Sequence, residues 1–340
     1  MATSPDDPFL LSHLAEVRAA AVRIGPYVRR TPLLETDVGV VKPECLQVTG
    51  AFKARGAFNA VLRLVEVDPG LRGVAAVSSG NHGQAVALAA RRLGVDAVVV
   101  MPEDAVPTKL DAVLRLGARV VNEGVTIENR DARFAEVLTD TGYAPVHPYD
   151  DWDVIHGQGT VGLEVAADHG EVTQVVVPIG GGGLASGVTL ALKALVPGVR
   201  VVGVEPTAAA DAAESFRARR HVRRPAGPTL ADGARPAAIG ARAYEVLIQR
   251  GLIDDVVTVE EAALAAATIV VWRGARLMAE PTGALPVAAV LAGAVTSGPG
   301  TVLVVSGGNV DPARGPELVA RADPTLVQAG LGLGLRAPGG

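Results

Sequence analysis

The segment AFKARGAF (Ala51–Phe58) sets one lysine, Lys53, among small and apolar neighbours. A solvated lysine needs no such setting. An amine in apolar surroundings holds its proton less tightly, so the free base, a nucleophile and proton acceptor, becomes accessible near neutral pH. Three further stretches carry chemistry, each following a strand-like run. VSSGNHGQ (Val77–Gln84) turns from strand to helix and leaves the amides after Ser79 free to take an anion such as a carboxylate, or else is a plain capped helix start. PIGGGGLASG (Pro178–Gly187) puts four glycines between a strand and a helix, which lets the backbone close around a phosphate at a helix N-terminus. VVSGGN (Val304–Asn309) ends a strand on a hydroxyl, Ser306, at the place where open α/β sheets bind ligands.

The glycine loop has a competing reading. Gly180, Gly182 and Ala185 fit G-x-G-x-x-A, and Glu205 closes the next strand, as a dinucleotide-binding fold requires. That reading leaves Lys53 and the other two loops without roles. No P-loop lysine follows the glycines, no G-x-S-x-G elbow occurs, and the six histidines never show metal-ligand spacing.

Composition narrows the class. A chain of 340 residues, 49% hydrophobic and 20% charged, can bury a large core as one or two domains. A net charge of −5 provides no general basic field, so nucleic acid and acidic membranes are not expected partners. RARRHVRR (Arg217–Arg224) packs five arginines into eight positions, which reads as a solvated helix end or else as a subunit contact or anion site. The single cysteine, Cys45, rules out an intrachain disulfide and fits a reducing cytoplasm. The start carries acids where a signal peptide wants bases. The two long uncharged stretches, Val172–Leu192 and Pro281–Val310, are broken by glycine clusters or prolines and read as a strand and a helix joined by a turn.

Valine-rich runs alternate with Ala/Leu-rich stretches of helical length: GVAAV, VDAVVVM and ARVV before the acidic stretch HPYDDWD (His147–Asp153), then QVVVP, VRVVGVE and TVLVV after it. This rhythm predicts an α/β fold with two open parallel sheets wrapped by helices. The glycine-rich end, from about residue 326 to 340, is expected to be a disordered tail.

The blocks LQVTGAFKARGAFNAV, SSGNHGQAVALAA, HPYDDWDVIHGQGTVGLEV, PIGGGGLASG, VVGVEP, LADGA, EPTGA and VSGGNVD occur in this order from about Thr31 to Asp311. They resemble the serine/threonine dehydratase and serine racemase family of fold-type II pyridoxal-phosphate enzymes. The resemblance implies a tryptophan synthase β-like architecture: a large domain from residues 1–70 and 149–325, a smaller inserted domain from 71–148, and the cofactor, pyridoxal 5'-phosphate, in the cleft between them. By the same matching, Lys53 is similar to the lysine that holds the cofactor as a Schiff base. Phe52 would pack beside the ring, and Gly180, Gly181, Gly182, Gly183 and Leu184 would bind the phosphate. Asn81 would face the phenolic oxygen and Ser306 the pyridine nitrogen. The substrate carboxylate would rest on Ser78, Ser79, Asn81 and His82, helped by Arg130. Ser79 matches the residue that faces Lys53 across the substrate in racemases of the family. Glu205, Ala209 and Asp211 match its divalent-cation site, suited to Mg²⁺ or Ca²⁺; the alternative is a pair of acids stabilising the next helix's N-terminus.

The activity implied is β-elimination of water from L-threonine or L-serine, yielding a 2-oxo acid and ammonia, by a cytoplasmic homodimer or homotetramer. Serine racemase and 3-hydroxyaspartate ammonia-lyase are alternatives, as is a silent binding homologue. Ala51 stands where the family usually has serine, and His156 where it has a small apolar residue. Only 31 residues follow Asn309, so no C-terminal regulatory domain is expected.

Overall fold

The computed structural model describes residues 7–36, 39–78, 80–105, 107–126 and 128–332. Ten strands are present among them: β1 (Leu34–Thr36), β2 (Gly39–Pro43), β3 (Gly73–Val77), β4 (Asp96–Val100), β5 (Arg119–Val121), β6 (Ala144–Pro145), β7 (Gln174–Pro178), β8 (Arg200–Pro206), β9 (Asp255–Val259) and β10 (Thr301–Val305). They form a six-stranded sheet, β1-β2-β10-β7-β8-β9, and a four-stranded sheet, β5-β4-β3-β6. Every pairing is parallel except that of the short edge strand β1 with β2. The helices are α1 (Pro8–Ile24), α2 (Lys53–Val67), α3 (Asn81–Leu93), α4 (Pro107–Arg115), α5 (Arg130–Thr141), α6 (Trp152–Asp168), α7 (Gly183–Leu195), α8 (Asp211–Ala218), α9 (Ala241–Tyr244), α10 (Glu261–Arg273), α11 (Pro281–Leu291), α12 (Gly315–Arg321) and α13 (Pro324–Leu331).

The valine runs become strands because β-branched side chains suit a pleat covered on both faces. Along β7, Val175 and Val177 join Leu10, Ile155 and Val188 from α1, α6 and α7, whereas Val176 joins Leu264 and Leu285 from α10 and α11. In the four-stranded sheet, Val74 and Val99 pack with Phe58 of α2 and Val86 of α3, and Ala75 and Val98 turn to Val137 of α5. The two uncharged stretches resolve into β7 with α7 and α11 with β10, and no helix among the described residues is long and apolar enough to cross a membrane.

One expectation is corrected at the C-terminus. The tail anticipated from residue 326 begins as helix: Asp323 caps α13 by accepting from the N–H groups of Thr325 and Leu326, and the helix runs to Leu331. Residues 333–340 lie outside the described residues. The arginine-rich segment spans a helix end: α8 stops at Ala218, Arg219 is left-handed (φ 52°) with its guanidinium over Phe216, and Arg224 pairs with Glu214.

A closed charge cluster lies behind α2. Arg55 is fully buried and donates to Glu44 (2.8 Å) and Glu164 (2.7 Å), while Lys42 donates to Glu164 (2.5 Å). Burial alone would raise the Glu44 carboxyl, yet Arg55 outweighs it and holds it below the usual carboxylate range. The two cations and two anions balance, so burial of the four is tolerated only as a set. Arg55→Ala should therefore lower unfolding stability by about 3–5 kcal/mol, because buried Glu44 is left without its cation and Glu164 keeps only Lys42. Arg133→Ala, which breaks the exposed pair with Glu136 on α5, should cost about 0.5 kcal/mol at most. Urea titration of both variants checks this, and equal small losses would deny the cluster its role.

Candidate active site

Three of the loops singled out in the sequence lie at the carboxyl ends of parallel strands. β3 runs through Ser78 and Gly80 into α3, β7 through Ile179–Gly182 into α7, and β10 into Ser306. Neither α3 nor α7 has a side-chain cap, and Gly182 caps α7 at φ 86°, a left-handed value that favours glycine. The dipole and first-turn amides of both helices are thus left for an outside acceptor. The glycines are also required by packing: a Cβ at Gly180 would run into the Gly233 carbonyl, at Gly181 into the Tyr149 ring, and at Gly182 into Ala243.

Lys53 opens α2 beside the same loops. Its Nζ donates to the Pro148 carbonyl (2.6 Å) and sits 5.1 Å from the centre of the Phe52 ring. No carboxylate is within ion-pair reach of it among the described residues. Burial lowers its pKa to about 8, against a smaller opposing effect of Glu280. The backbone around it is tied to the end of β10: Phe52 N–H donates to Ser306 O (3.0 Å), Gly308 N–H to Gly50 O (2.8 Å), and Ala51 bridges Gly307. Ser306 is 2% exposed, and its hydroxyl makes no hydrogen bond with a described residue.

Asn81, the first residue of α3, donates to Glu280 Oε1 (2.6 Å) and accepts from Asn309 Nδ2 (2.8 Å). Phe52, Ser306, Asn81 and Glu280 are thus gathered around Gly307, and Pro148, the neighbour of Tyr149 that packs on Gly181 and Gly183, links Lys53 to the glycine loop. Sequence reasoning missed Glu280, Asn309, Asp232 and Tyr149, although each lies in a quoted block. The signal for Glu280, Asn309 and Asp232 was a polar residue inside a motif otherwise made of small ones. Glu280 is 4% exposed, and burial followed by the charge of Asp232 raises its pKa to about 8. Lys109 of α4 pairs with Asp232, joining the two sheet layers beside Gly80.

Other expected site residues fare differently. Ser78 accepts from Gly80 N–H (3.1 Å) in a tight turn. Ser79 lies outside the described residues. The His82 ring turns away to the Val146 carbonyl (2.9 Å), and burial lowers its pKa to about 3, so it is neutral and offers an anion only its backbone N–H. Arg130 stands 3.5 Å from its neighbour Asp131 and makes no bond with the described part of the 78–82 loop. His156 does not reach the crevice: its Nε2 meets His13 Nδ1 at 2.8 Å, and its ring stacks on Trp152. Glu205 accepts from the N–H groups of Ala212 (3.2 Å) and Ala213 (2.8 Å) at the start of α8, which is the helix-stabilising arrangement. Among the described residues no group of three His, Cys, Asp or Glu stands together, so Glu205, Ala209 and Asp211 form no metal cage of side chains.

Comparison with known proteins identifies the family. The family described as pyridoxal-phosphate dependent enzyme matches residues 24–308. Serine racemase of Arabidopsis thaliana is 40% identical over 312 residues, covering 88% of this chain and 93% of its own. The catabolic L-threonine dehydratase TdcB of Staphylococcus aureus (strain N315) is 38% identical over 314 residues, covering 88% and 90%. The crystal structure of a T.th. threonine deaminase superposes with a TM-score of 0.82 at 44% identity, covering 88% of this chain and 98% of that one.

The lowered pKa of Lys53 has a direct kinetic consequence. Only its free base attacks an aldehyde, so cofactor-free protein should capture pyridoxal phosphate about tenfold faster per pH unit up to about 8 and at a constant rate above it. Stopped-flow absorbance checks this; a rate still climbing tenfold per unit from pH 9 to 10 would mean an ordinary solvated amine.

Proposed function

Since the chain belongs to the pyridoxal-phosphate dependent enzymes, we propose that it eliminates water from L-threonine or L-serine, releasing a 2-oxo acid and ammonia. The observation that carries this reading is the setting of Lys53: an amine with a carbonyl partner, a pKa near 8 and no carboxylate in ion-pair reach among the described residues, beside three ligand-ready loops. The residues fit the cofactor. An uncapped helix N-terminus behind four glycines suits a dianionic phosphate, and a serine hydroxyl without a partner among the described residues suits an unprotonated ring nitrogen.

Bound pyridoxal phosphate supplies an electron sink for the carbanion left at the substrate's α-carbon. Lys53 would hold the cofactor covalently and, when displaced, take the α-proton at Nζ and return a proton to the departing β-hydroxyl, and water would then hydrolyse the released enamine to the 2-oxo acid and ammonia. The amides of Gly180, Gly181, Gly182, Gly183 and Leu184 would hold the phosphate, Asn81 the phenolic oxygen, and Ser306 the ring nitrogen. A hydroxyl at that nitrogen leaves the sink weak, which suits elimination because the carbanion is short-lived. Ser78 and the amides opening α3 would seat the substrate carboxylate. Serine racemisation is the second reading, favoured by the 40% identical racemase, and it needs an acid/base opposite Lys53, for which Ser79 is the candidate.

Purified protein should be yellow, and borohydride should fix the cofactor to Lys53. Lys53→Ala should keep the cofactor through the glycine loop yet lose 2-oxo acid release by several orders of magnitude, since tether and base go together. Bound dinucleotide in place of that absorbance would sink the proposal. Release of 2-oxo acid from L-threonine and L-serine, set against D-serine formation, separates lyase from racemase.

For Glu205 and Asp211 we propose a divalent cation completed by the Ala209 carbonyl and water. The support is that Asp211 Oδ2 is buried without a hydrogen-bond partner among the described residues, and that burial raises both carboxyls, Asp211 to about 7 and Glu205 well above its usual range. An acid whose pKa is raised by folding binds its proton more tightly folded than unfolded. Stability of chelator-treated protein should therefore fall as pH rises from about 4 to about 7. Mg²⁺ or Ca²⁺ should restore the melting temperature at pH 8, and Glu205→Gln should abolish the response. Indifference to chelator and cation at pH 8 would leave both acids as helix-stabilising groups.

A further inference from the structure

Two motif residues, Glu280 of EPTGA and Asn309 of SGGN, have no part in the reading above, and both converge on Asn81. Asn81 opens α3 beside the four-stranded sheet, whereas Glu280 precedes α11 and Asn309 follows β10 of the six-stranded sheet. Asn309 Nδ2 donates to Thr49 O (2.7 Å) and to Asn81 Oδ1 (2.8 Å), so both its hydrogens are spent and its orientation is fixed. Asn81 Nδ2 then donates one hydrogen to Glu280 Oε1 (2.6 Å). Reversing the Asn81 amide would set nitrogen against the nitrogen of Asn309 and oxygen against the oxygen of Glu280. A carboxamide held at one end could rotate; this one is held at both. Its second N–H has no partner among the described residues. Glu280 makes no side-chain bond to the N-terminus of the helix it precedes and turns to Asn81 instead. Gly307 between them has no room for a Cβ, which would lie 2.5 Å from Glu280 Oε1 and 3.2 Å from Asn81 Nδ2.

We propose that Asn309 and Glu280 are positioning residues that lock the Asn81 carboxamide in the one orientation that leaves an N–H free for the cofactor's phenolic oxygen. The inference rests on the pyridoxal-phosphate reading of the site. A donor fixed at that oxygen favours its ionised form and thereby sets the pH at which the bound cofactor's visible band titrates.

The test uses cofactor-free and reconstituted protein with Asn309→Ala, Asn81→Ala and the double variant. Three quantities are read: pyridoxal-phosphate affinity, the pH midpoint of the visible band, and melting temperature without cofactor. Asn309→Ala should weaken affinity about tenfold and move the midpoint by about one pH unit, the effect of losing one oriented hydrogen bond. The double variant should be no worse than Asn81→Ala, because the two residues act as one unit. Glu280→Gln, which keeps an acceptor oxygen, should retain affinity better than Glu280→Ala. A wild-type midpoint in Asn309→Ala, or losses that add in the double variant, would refute the lock while leaving the cofactor in place. A wild-type protein that binds no pyridoxal phosphate would instead overturn the reading on which the lock depends.

Discussion

An amine that has to shed its proton near neutral pH cannot be given a carboxylate partner, and much of this structure follows from that restriction. Helix α2 carries two cations two residues apart, Lys53 and Arg55, and treats them in opposite ways. Arg55 receives Glu44 and Glu164 in a buried neutral cluster with Lys42. Lys53 receives a single carbonyl. Residues at i and i+2 of a helix point to different sides, so one helix can anchor itself through the guanidinium and present a poised amine with the other side chain. The anchor matters because a displacement of about 1 Å in a reacting group is costly to catalysis.

The crevice that faces Lys53 is built from strand ends rather than from any one loop. Parallel strands all finish on one side, and the helices that follow begin there with donors to spare. The four glycines after β7 answer two demands together. Gly182 must adopt a left-handed φ, and Gly180 and Gly181 must admit the Gly233 carbonyl and the Tyr149 ring. Glycine-rich sequence at this site is thus a record of close packing around the loop as much as of ligand access.

Beside the apolar cluster that joins Ile24 and Val154 to Val74 and Val99, polar links also tie the two sheet layers together. Asn81 meets Glu280 and Asn309, and Lys109 meets Asp232. Polar links of this kind fix orientation without demanding a large apolar interface. They are also sensitive to ionisation, and burial raises the pKa of Glu280 to about 8.

The sequence by itself determined the fold class, because runs such as QVVVP and TVLVV suit only strands covered on both faces and alternate with stretches of helical length. It also marked Lys53 and the glycine loop, whose residue types are unusual enough for their setting to imply chemistry. Tertiary structure decided what depends on direction. The rings of His82 and His156 turn to Val146 and His13, because a rotamer is chosen by neighbours distant in the chain. Residues 326–331 look like a flexible end by composition but form helix, since the Asp323 cap and packing of Val327 against the core supply what propensity lacks. Glu280, Asn309 and Asp232 were visible only as letters inside motifs. Their partners, Asn81 and Lys109, lie more than a hundred residues away, and a hydrogen bond across that separation exists only once the two sheets have folded against each other.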